Sequence, residues 1–513
     1  MPSVLATDAR TLPALLVTRV GELGEHPFVR DARTSWTLGE FAERVTVIAG
    51  GLRAIGVSQG DVVGVVLRNG PEFLEVWWAI LWLGAVFNPV NPDLTGREQA
   101  GILSDSGASV VVCEIASAGG LAEYRADLPA LRDLIAIDQR AADPLAELRT
   151  ARAVGSPAPV RPETLASLVY TSGTTGRPKG AMLSHGNHLA NAWMLAEPVP
   201  LGQGDTLGMV LPLFHVNAQV VTTVVPLLIG ARIAMWERFS ASTFWETVAA
   251  FEPVTFSAVP TMLAALLHAP GADAAETNTL RFVICGAAPL SPALFRRFEE
   301  KFGVKVLEGY GLTEGTCCST INPFLGPRKI GSVGIPTRGQ QVVVMDEQGR
   351  ETPDGELGEV CVRGPNVMQG YFNRPEATSE TLRDGWLHTG DVGYRDADGF
   401  FFLVDRKKDM IIRGGENIYP REIEDVLLEH AGVEGAAVIG RPDEVRGEEV
   451  HAVLVLGTGT TVDMVEAHCR KNLAAFKVPS SWEVVAELPK TSTGKIDKKP
   501  LRERVLSGAA GGS

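Results

Sequence analysis

Short, uninterrupted β-branched runs alternate with helical patterns along most of this chain, and that rhythm leaves few folds open. Asp61-Val-Val-Gly-Val-Val-Leu67 and Ser109-Val-Val-Val-Cys113 show no apolar–polar alternation, so both faces of each strand must be covered. Phe41 to Ile55 spaces its apolar side chains at helical intervals, and Gly56-Val-Ser-Gln-Gly60 turns the chain before the next run. Such alternation predicts parallel sheets packed between helices. It continues through Leu207–Pro212, Ala231–Trp236, Val254–Ala258, Arg281–Cys285 and Val304–Leu307. After Gly331 the pattern changes. Gln341–Met345, Gly358–Arg363 and Gly399–Val404, separated by Gly and Asp turns, read as short antiparallel strands. Asp405-Arg-Lys-Lys-Asp409 is a charged break, and beyond it Ala436–Ile439 and His451–Leu456 belong to a second unit. The domain boundary is expected at Val404–Arg406.

A chain of 513 residues is too long for one core. Its formal net charge of -14 argues against a nucleic-acid partner, because phosphate recognition favours a basic surface. The six cysteines lack zinc-like spacing and read as reduced, buried thiols. Met1 to Ala14 contains Asp8 and no sustained apolar core, unlike a signal peptide. Phe73 to Val90 is the most apolar stretch, but Glu75 and Asn88-Pro89 suit a buried helix better than a membrane span. A cytoplasmic protein, monomeric or homodimeric, is expected, with no membrane partner.

Chemistry concentrates at a few turns. Tyr170-Thr-Ser-Gly-Thr-Thr-Gly-Arg-Pro-Lys-Gly180 is rich in Gly and hydroxyls and carries a Lys, a composition that can wrap phosphates with backbone N–H groups. It is not a P-loop, since Gly176 is followed by Arg-Pro-Lys-Gly and no Ser or Thr closes the motif. Glu308-Gly-Tyr-Gly-Leu-Thr-Glu314 offers an aromatic face to a base, the Thr313 hydroxyl to phosphate and the Glu314 carboxylate to Mg²⁺. Asp391, after a Gly turn, suits ribose hydroxyls. Pro489-Lys-Thr-Ser-Thr-Gly-Lys495 presents a lysine on a flexible loop.

In order, Thr171–Gly180, Pro212-Leu-Phe-His215, Gly286-Ala-Ala-Pro289, Tyr310–Glu314, Thr389–Asp391, Asp405-Arg406, Gly414-Gly-Glu-Asn-Ile418 and Thr493-Gly-Lys495 resemble the motifs of the adenylate-forming superfamily. That superfamily comprises acyl-CoA synthetases, nonribosomal adenylation domains and firefly-type luciferases; this chain looks closest to free-standing acid:CoA ligases. The resemblance spans about residues 15 to 505. It implies an α/β fold: a large N-terminal domain of stacked α/β sheets plus a small β-barrel-like subdomain (1–404), and a small mobile C-terminal α+β domain (405–513). It also implies ATP, Mg²⁺ and CoA. A carboxylate attacks the α-phosphate, giving an acyl-adenylate and pyrophosphate, and a thiol then displaces AMP.

By the same resemblance, Lys495 contacts the carboxylate and α-phosphate, with His215, Thr313 and Glu314 beside them. Thr171, Ser172, Gly173, Thr174, Thr175 and Gly176, with Lys179, hold the outer phosphates. Gly286, Ala287 and Ala288, with Glu308, Gly309, Tyr310 and Gly311, take the adenine; Asp391 and Arg406 take the ribose. Lys408 is the hinge about which the small domain rotates, and Gly414 and Gly415 then flank the pantetheine arm. His215, Asn217, Gln219, Gly309 and Cys318 line the acid pocket. Its polar groups favour an aryl, short or polar-substituted acid over a long-chain one.

Departures from the family matter too. Ile412 stands where coumarate ligases and luciferases usually carry Lys, and His215 where amino-acid-selecting domains usually carry Asp. The tail Ser507–Ser513 reads as flexible, with no carrier domain after it. On the same scaffold the acceptor could instead be a carrier-protein thiol or an amine, or the activated anion could be nitrite for diazotisation. From other classes, a phosphoryl-transferring P-loop ATPase lacks its motif here. A non-catalytic nucleotide-binding protein has no reason to keep Lys495, Glu314 and Asp391.

Overall fold

The structure is a computed structural model that describes residues 8–171, 178–275, 277–406, 409–413, 416–443, 446–490 and 495–509. Two sheets form the large unit. One has six strands in the order Asp133–Ile137, Val110–Glu114, Val62–Val66, Val86–Pro89, Leu165–Thr171 and Lys179–Ser184. All neighbours in it are parallel except the last pair. The other has nine strands, parallel from Pro27–Arg30 through Lys305–Tyr310 and antiparallel at both ends. Helices fill the space between them, as expected for strands apolar on both faces.

The wholly buried helix Pro71–Trp82 lies at the centre. Trp77 stacks on Phe87 at 5.2 Å, and Phe41 meets Trp78 edge-on at 6.3 Å. Glu75, 1% exposed, is tolerated there because Arg149 reaches its carboxylate at 2.6 Å. Only the first part of the Phe73–Val90 stretch is helix. Gly84 (φ +66) turns the chain after Leu83, and Val86–Pro89 becomes a strand of the six-stranded sheet.

At the phosphate-type loop, Thr171 pairs with Lys179 across an antiparallel ladder, so the strands on either side of it form a hairpin. The following helix, His185–Ala196, starts one strand later, with Ser184 and Asn187 in a reciprocal capping box. After Pro212-Leu-Phe-His215 comes a continuous rod: Val216–Gln219 is α-helical, Val220–Val224 is a π turn, and Val225–Ile229 is α-helical again. The Thr222 and Thr223 hydroxyls both donate to the Ala218 carbonyl, at 3.1 and 2.9 Å, beside the widened turn.

The barrel-like subdomain is a five-stranded antiparallel sheet built on Gln341–Met345, Gly358–Arg363, Leu382–Arg383, Trp386–Arg395 and Phe401–Arg406. The last of these strands runs through Asp405 and Arg406, which lie opposite Val392 and Asp391. The C-terminal unit has its own core around Ile423, Leu427, Val438 and Leu454. Among the described residues no helix is long and apolar enough to cross a membrane.

Candidate active site

Strand ends of the nine-stranded sheet converge on the turns singled out from sequence. Gly286, after Phe282–Cys285, and Gly309, near the end of Lys305–Tyr310, approach so closely that a Cβ on Gly286 would lie 2.8 Å from the Gly309 carbonyl oxygen. Ala287 adopts φ +67, a left-handed conformation that a side chain resists. Gly311 is tighter: its Cβ would sit 1.7 Å from the Cys317 carbonyl oxygen, because the chain folds back over it after the 3₁₀ turn Thr313–Gly315. Thr316 (φ +69) makes that return, with Cys317 N donating to Gly315 O at 2.9 Å and the Thr316 hydroxyl donating to Asn366 O.

Two predicted groups meet where this turn faces the barrel-like sheet. The Tyr310 hydroxyl donates to Asp391 Oδ2 at 2.6 Å. A bulge sets this up: Thr389, Gly390 and Asp391 lie between His388, opposite Cys361, and Val392, opposite Glu359. Arg406 is the ladder partner of Asp391. On the opposite flank the Glu314 carboxylate accepts the Thr171 hydroxyl at 3.3 Å and the Tyr371 hydroxyl at 2.7 Å, and Lys179 Nζ lies 5.2 Å from the Tyr371 ring centre. Sequence reasoning missed Tyr371. It sits in Gly370-Tyr-Phe-Asn-Arg-Pro375, a stretch whose composition signals only a turn.

The His215 imidazole is pushed down to about 3 by burial and by the nearby Lys495 ammonium, so the ring is neutral at physiological pH. This brings Lys495 of the C-terminal unit to the Pro212–His215 turn. His215 Nε2 and Asn217 Oδ1 are both buried without a hydrogen-bond partner. Gln219 is satisfied on one side only: its Nε2 donates to Leu213 O at 3.0 Å while its Oε1 is also buried without a partner, and it lies two residues from Asn217, toward the other side of the helix. Cys318 is likewise engaged, its N–H donating to Asn191 Oδ1 and its thiol to Thr320 O. Ser172, Gly173, Thr174, Thr175, Gly176, Lys408, Gly414 and Gly415 lie outside the described residues.

Glu308, 2% exposed beneath the Gly286 turn, is raised to about 7 by burial, against the lowering influence of Arg421 and the Leu290 N–H. Arg421 also bridges the units, its backbone N–H donating to Asp405 Oδ2 at 3.0 Å.

Burial likewise depresses two more imidazoles, His185 to about 4 and His188 to about 3. With His215 they make three groups that are neutral when folded but take up protons near 6.5 when unfolded, so their contribution to stability is lost on acidification. Glu308 acts oppositely, because its raised folded value favours the protonated native state. Asp425, raised to about 6 by burial, adds to the Glu308 effect. At pH 5.5 the unfolded chain holds nearly three extra imidazole protons and lacks between one and two carboxyl protons, so stability should fall by roughly 1–2 kcal/mol per pH unit around pH 5.5. Urea unfolding between pH 7 and 5 checks this. Glu308→Gln should steepen the acid loss and raise stability at pH 8; an unchanged slope would refute the assignment.

Comparison with known proteins matches this geometry. The AMP-binding enzyme family matches residues 17–372, and the AMP-binding enzyme C-terminal domain matches residues 422–495. A sulfoacetate–CoA ligase of Cupriavidus necator is 37% identical over 96% of this chain and 97% of its own length. A feruloyl-CoA synthase of an Amycolatopsis species is 40% identical over 93% of this chain and 95% of its own length. The crystal structure of an anthranilate CoA ligase in complex with anthranoyl-AMP superposes with a TM-score of 0.91 at 28% identity, covering 97% of this chain and 98% of that one.

Proposed function

The chain belongs to the AMP-binding enzyme family and is an ATP-dependent, AMP-forming acid:CoA ligase; within that class we propose that its acid is compact and carries a polar or aryl substituent. The observation that carries this reading is the pair of orphaned polar atoms, His215 Nε2 and Asn217 Oδ1, at the head of the helix after the Pro212–His215 turn. A buried acceptor left unpaired costs about 1–3 kcal/mol, and a substrate group able to pair with it recovers that cost. A long alkyl chain cannot.

The chemistry follows from charge. A carboxylate must approach a triphosphate, so cationic and N–H donors have to offset the repulsion in the transition state. Lys495 supplies a full charge there, while neutral His215 supplies a hydrogen-bonding edge. Thr171 with Ser172–Gly176, Lys179 and Thr313 hold the phosphates. The Gly286–Ala288 turn, with Glu308, Gly309, Tyr310 and Gly311, forms a backbone cradle for adenine, and Asp391 with Arg406 binds the ribose. Mg²⁺, when bound, offsets charge on the triphosphate. Glu314, whose carboxylate already gathers the Thr171 and Tyr371 hydroxyls, is the hard oxygen donor that fits it.

For the second step, the C-terminal unit beyond Lys408 rotates about that residue, bringing Gly414 and Gly415 to the pantetheine arm of CoA. The protein works in the cytoplasm.

Mass spectrometry of products from Mg·ATP and a panel of acids, with and without CoA, tests the reading. An acyl-CoA plus AMP from short or aryl polar acids is expected; an adenylate without acyl-CoA would overturn the acceptor. Asn217→Leu should cut kcat/KM for the preferred acid by about tenfold or more and improve relative turnover of its apolar analogue. Equal losses for both would remove Asn217 from the pocket.

A further inference from the structure

We propose that Glu359, Cys361 and His388, beneath the ribose-side bulge, form a binding site for one zinc-type divalent transition-metal ion. Glu359 and Cys361 are two residues apart on one strand, so they share a face, and His388 lies directly opposite Cys361 on the next. Cys361 Sγ is 3.4 Å from His388 Nδ1, and His388 Nδ1 is 3.1 Å from Glu359 Oε2. One ligand atom from each residue falls within 4.8 Å of the other two. A tetrahedral ion bound at about 2.3 Å to sulfur and 2.0–2.1 Å to nitrogen and oxygen separates its ligands by roughly 3.3–3.6 Å. The nitrogen already stands close to both spacings, and only sulfur and carboxylate need draw together.

The chemistry of the set is discriminating. Thiolate and imidazole select a borderline-soft ion and disfavour Mg²⁺, so this site does not compete for the metal of the triphosphate. Glu359 is braced from outside: its other oxygen, Oε1, accepts the Gly390 N–H at 2.9 Å. Cys361 is fully buried, whereas the Glu359 and His388 side chains keep 16% and 12% of their surface, leaving an approach for the ion. Arg383, 3.6 Å from Glu359 Oε2 and half exposed, is the cation the ion must displace. On binding, the Cys361 S–H bond breaks, a sulfur–metal bond forms, and one proton leaves to solvent. Thiolate and carboxylate together then neutralise the dication. Because Glu359 keeps Gly390 through Oε1, an ion here stiffens the bulge that carries Asp391.

Cobalt(II) titration of the full-length, chelator-treated protein tests the site. We expect a near-ultraviolet thiolate-to-cobalt charge-transfer band that saturates at one ion per chain, is displaced by zinc, and is absent in both Cys361→Ser and His388→Gln. Zinc at a hundredfold excess over its dissociation constant should raise the unfolding temperature of the wild-type chain by about 2 °C and leave Cys361→Ser unmoved. No band in the wild-type chain, or a band that survives Cys361→Ser and therefore arises from another cysteine, would overturn the proposal.

Discussion

Replacing Lys495 with alanine is expected to slow acyl-adenylate formation at least a hundredfold, while thioester formation from a supplied acyl-adenylate stays close to its original rate. The first half follows from charge. Lys495 is near enough to the neutral His215 ring to depress it, and that ring cannot take over a lost positive charge. A preorganised cation at developing negative charge lowers the barrier by about 3–4 kcal/mol, which is two to three orders of magnitude in rate. The second half follows from the rotation proposed for the C-terminal unit about Lys408, which withdraws Lys495 before the thiol attacks. Pyrophosphate release measured with the acid, and acyl-CoA formation measured from synthetic adenylate, separate the two steps. Equal losses in both would mean that Lys495 supports the fold of its unit instead.

Gly311→Ala should be the most damaging single-methyl change in the described residues of the site. The added carbon would stand 1.7 Å from the Cys317 carbonyl oxygen and 2.6 Å from its carbon, and backbone cannot give way as a side-chain tip can. The return segment Thr316–Cys318 would have to lift, pulling with it Glu314 and the Thr316–Asn366 hydrogen bond. A cost of about 3 kcal/mol or more and loss of ATP binding are expected. Gly101→Ala is the control. It lies in the helix Gly96–Ser106 with nothing within 4 Å of its Cβ, and should stabilise by about 0.5–1 kcal/mol. Urea midpoints for both variants, with ATP binding by calorimetry, would decide. A Gly311→Ala protein of normal stability would show that the turn is looser than its geometry implies.

Much of the fold was legible because burial on both faces writes itself into a strand. Gly358–Arg363 matches its expected bounds, and most other strands fall within a few residues of theirs. Strand order was not legible. Pro27–Arg30 pairs with Arg232–Met235, two hundred residues away in sequence, and nothing in either run names the other. The same holds in the site. Tyr310, Asp391, Glu314 and Thr171 stood out by residue type after a turn, yet Tyr371, which joins Glu314 to the Lys179 side, carries no local signal. Asn217 and Gln219 looked equivalent until the helix placed them on different sides; both keep an orphaned acceptor, but Gln219 alone ties its amide nitrogen to Leu213. Partnership across a fold is a tertiary property, and composition and spacing do not encode it.

The π turn at Val220–Val224 divides one rod into two segments with separate histories. Its extra residue rotates Val225–Ile229 by about a third of a turn relative to an unbroken helix, and that half is packed wholly into the main core. The front half, headed by His215 and Asn217, is thereby set in a different phase, with Ala218 still packed into the same core and Val216 into a neighbouring one. Of the side chains on Val216–Gln219, Asn217 alone is only half-buried, so it is the position where the acid contact can change at least cost to the packing behind it.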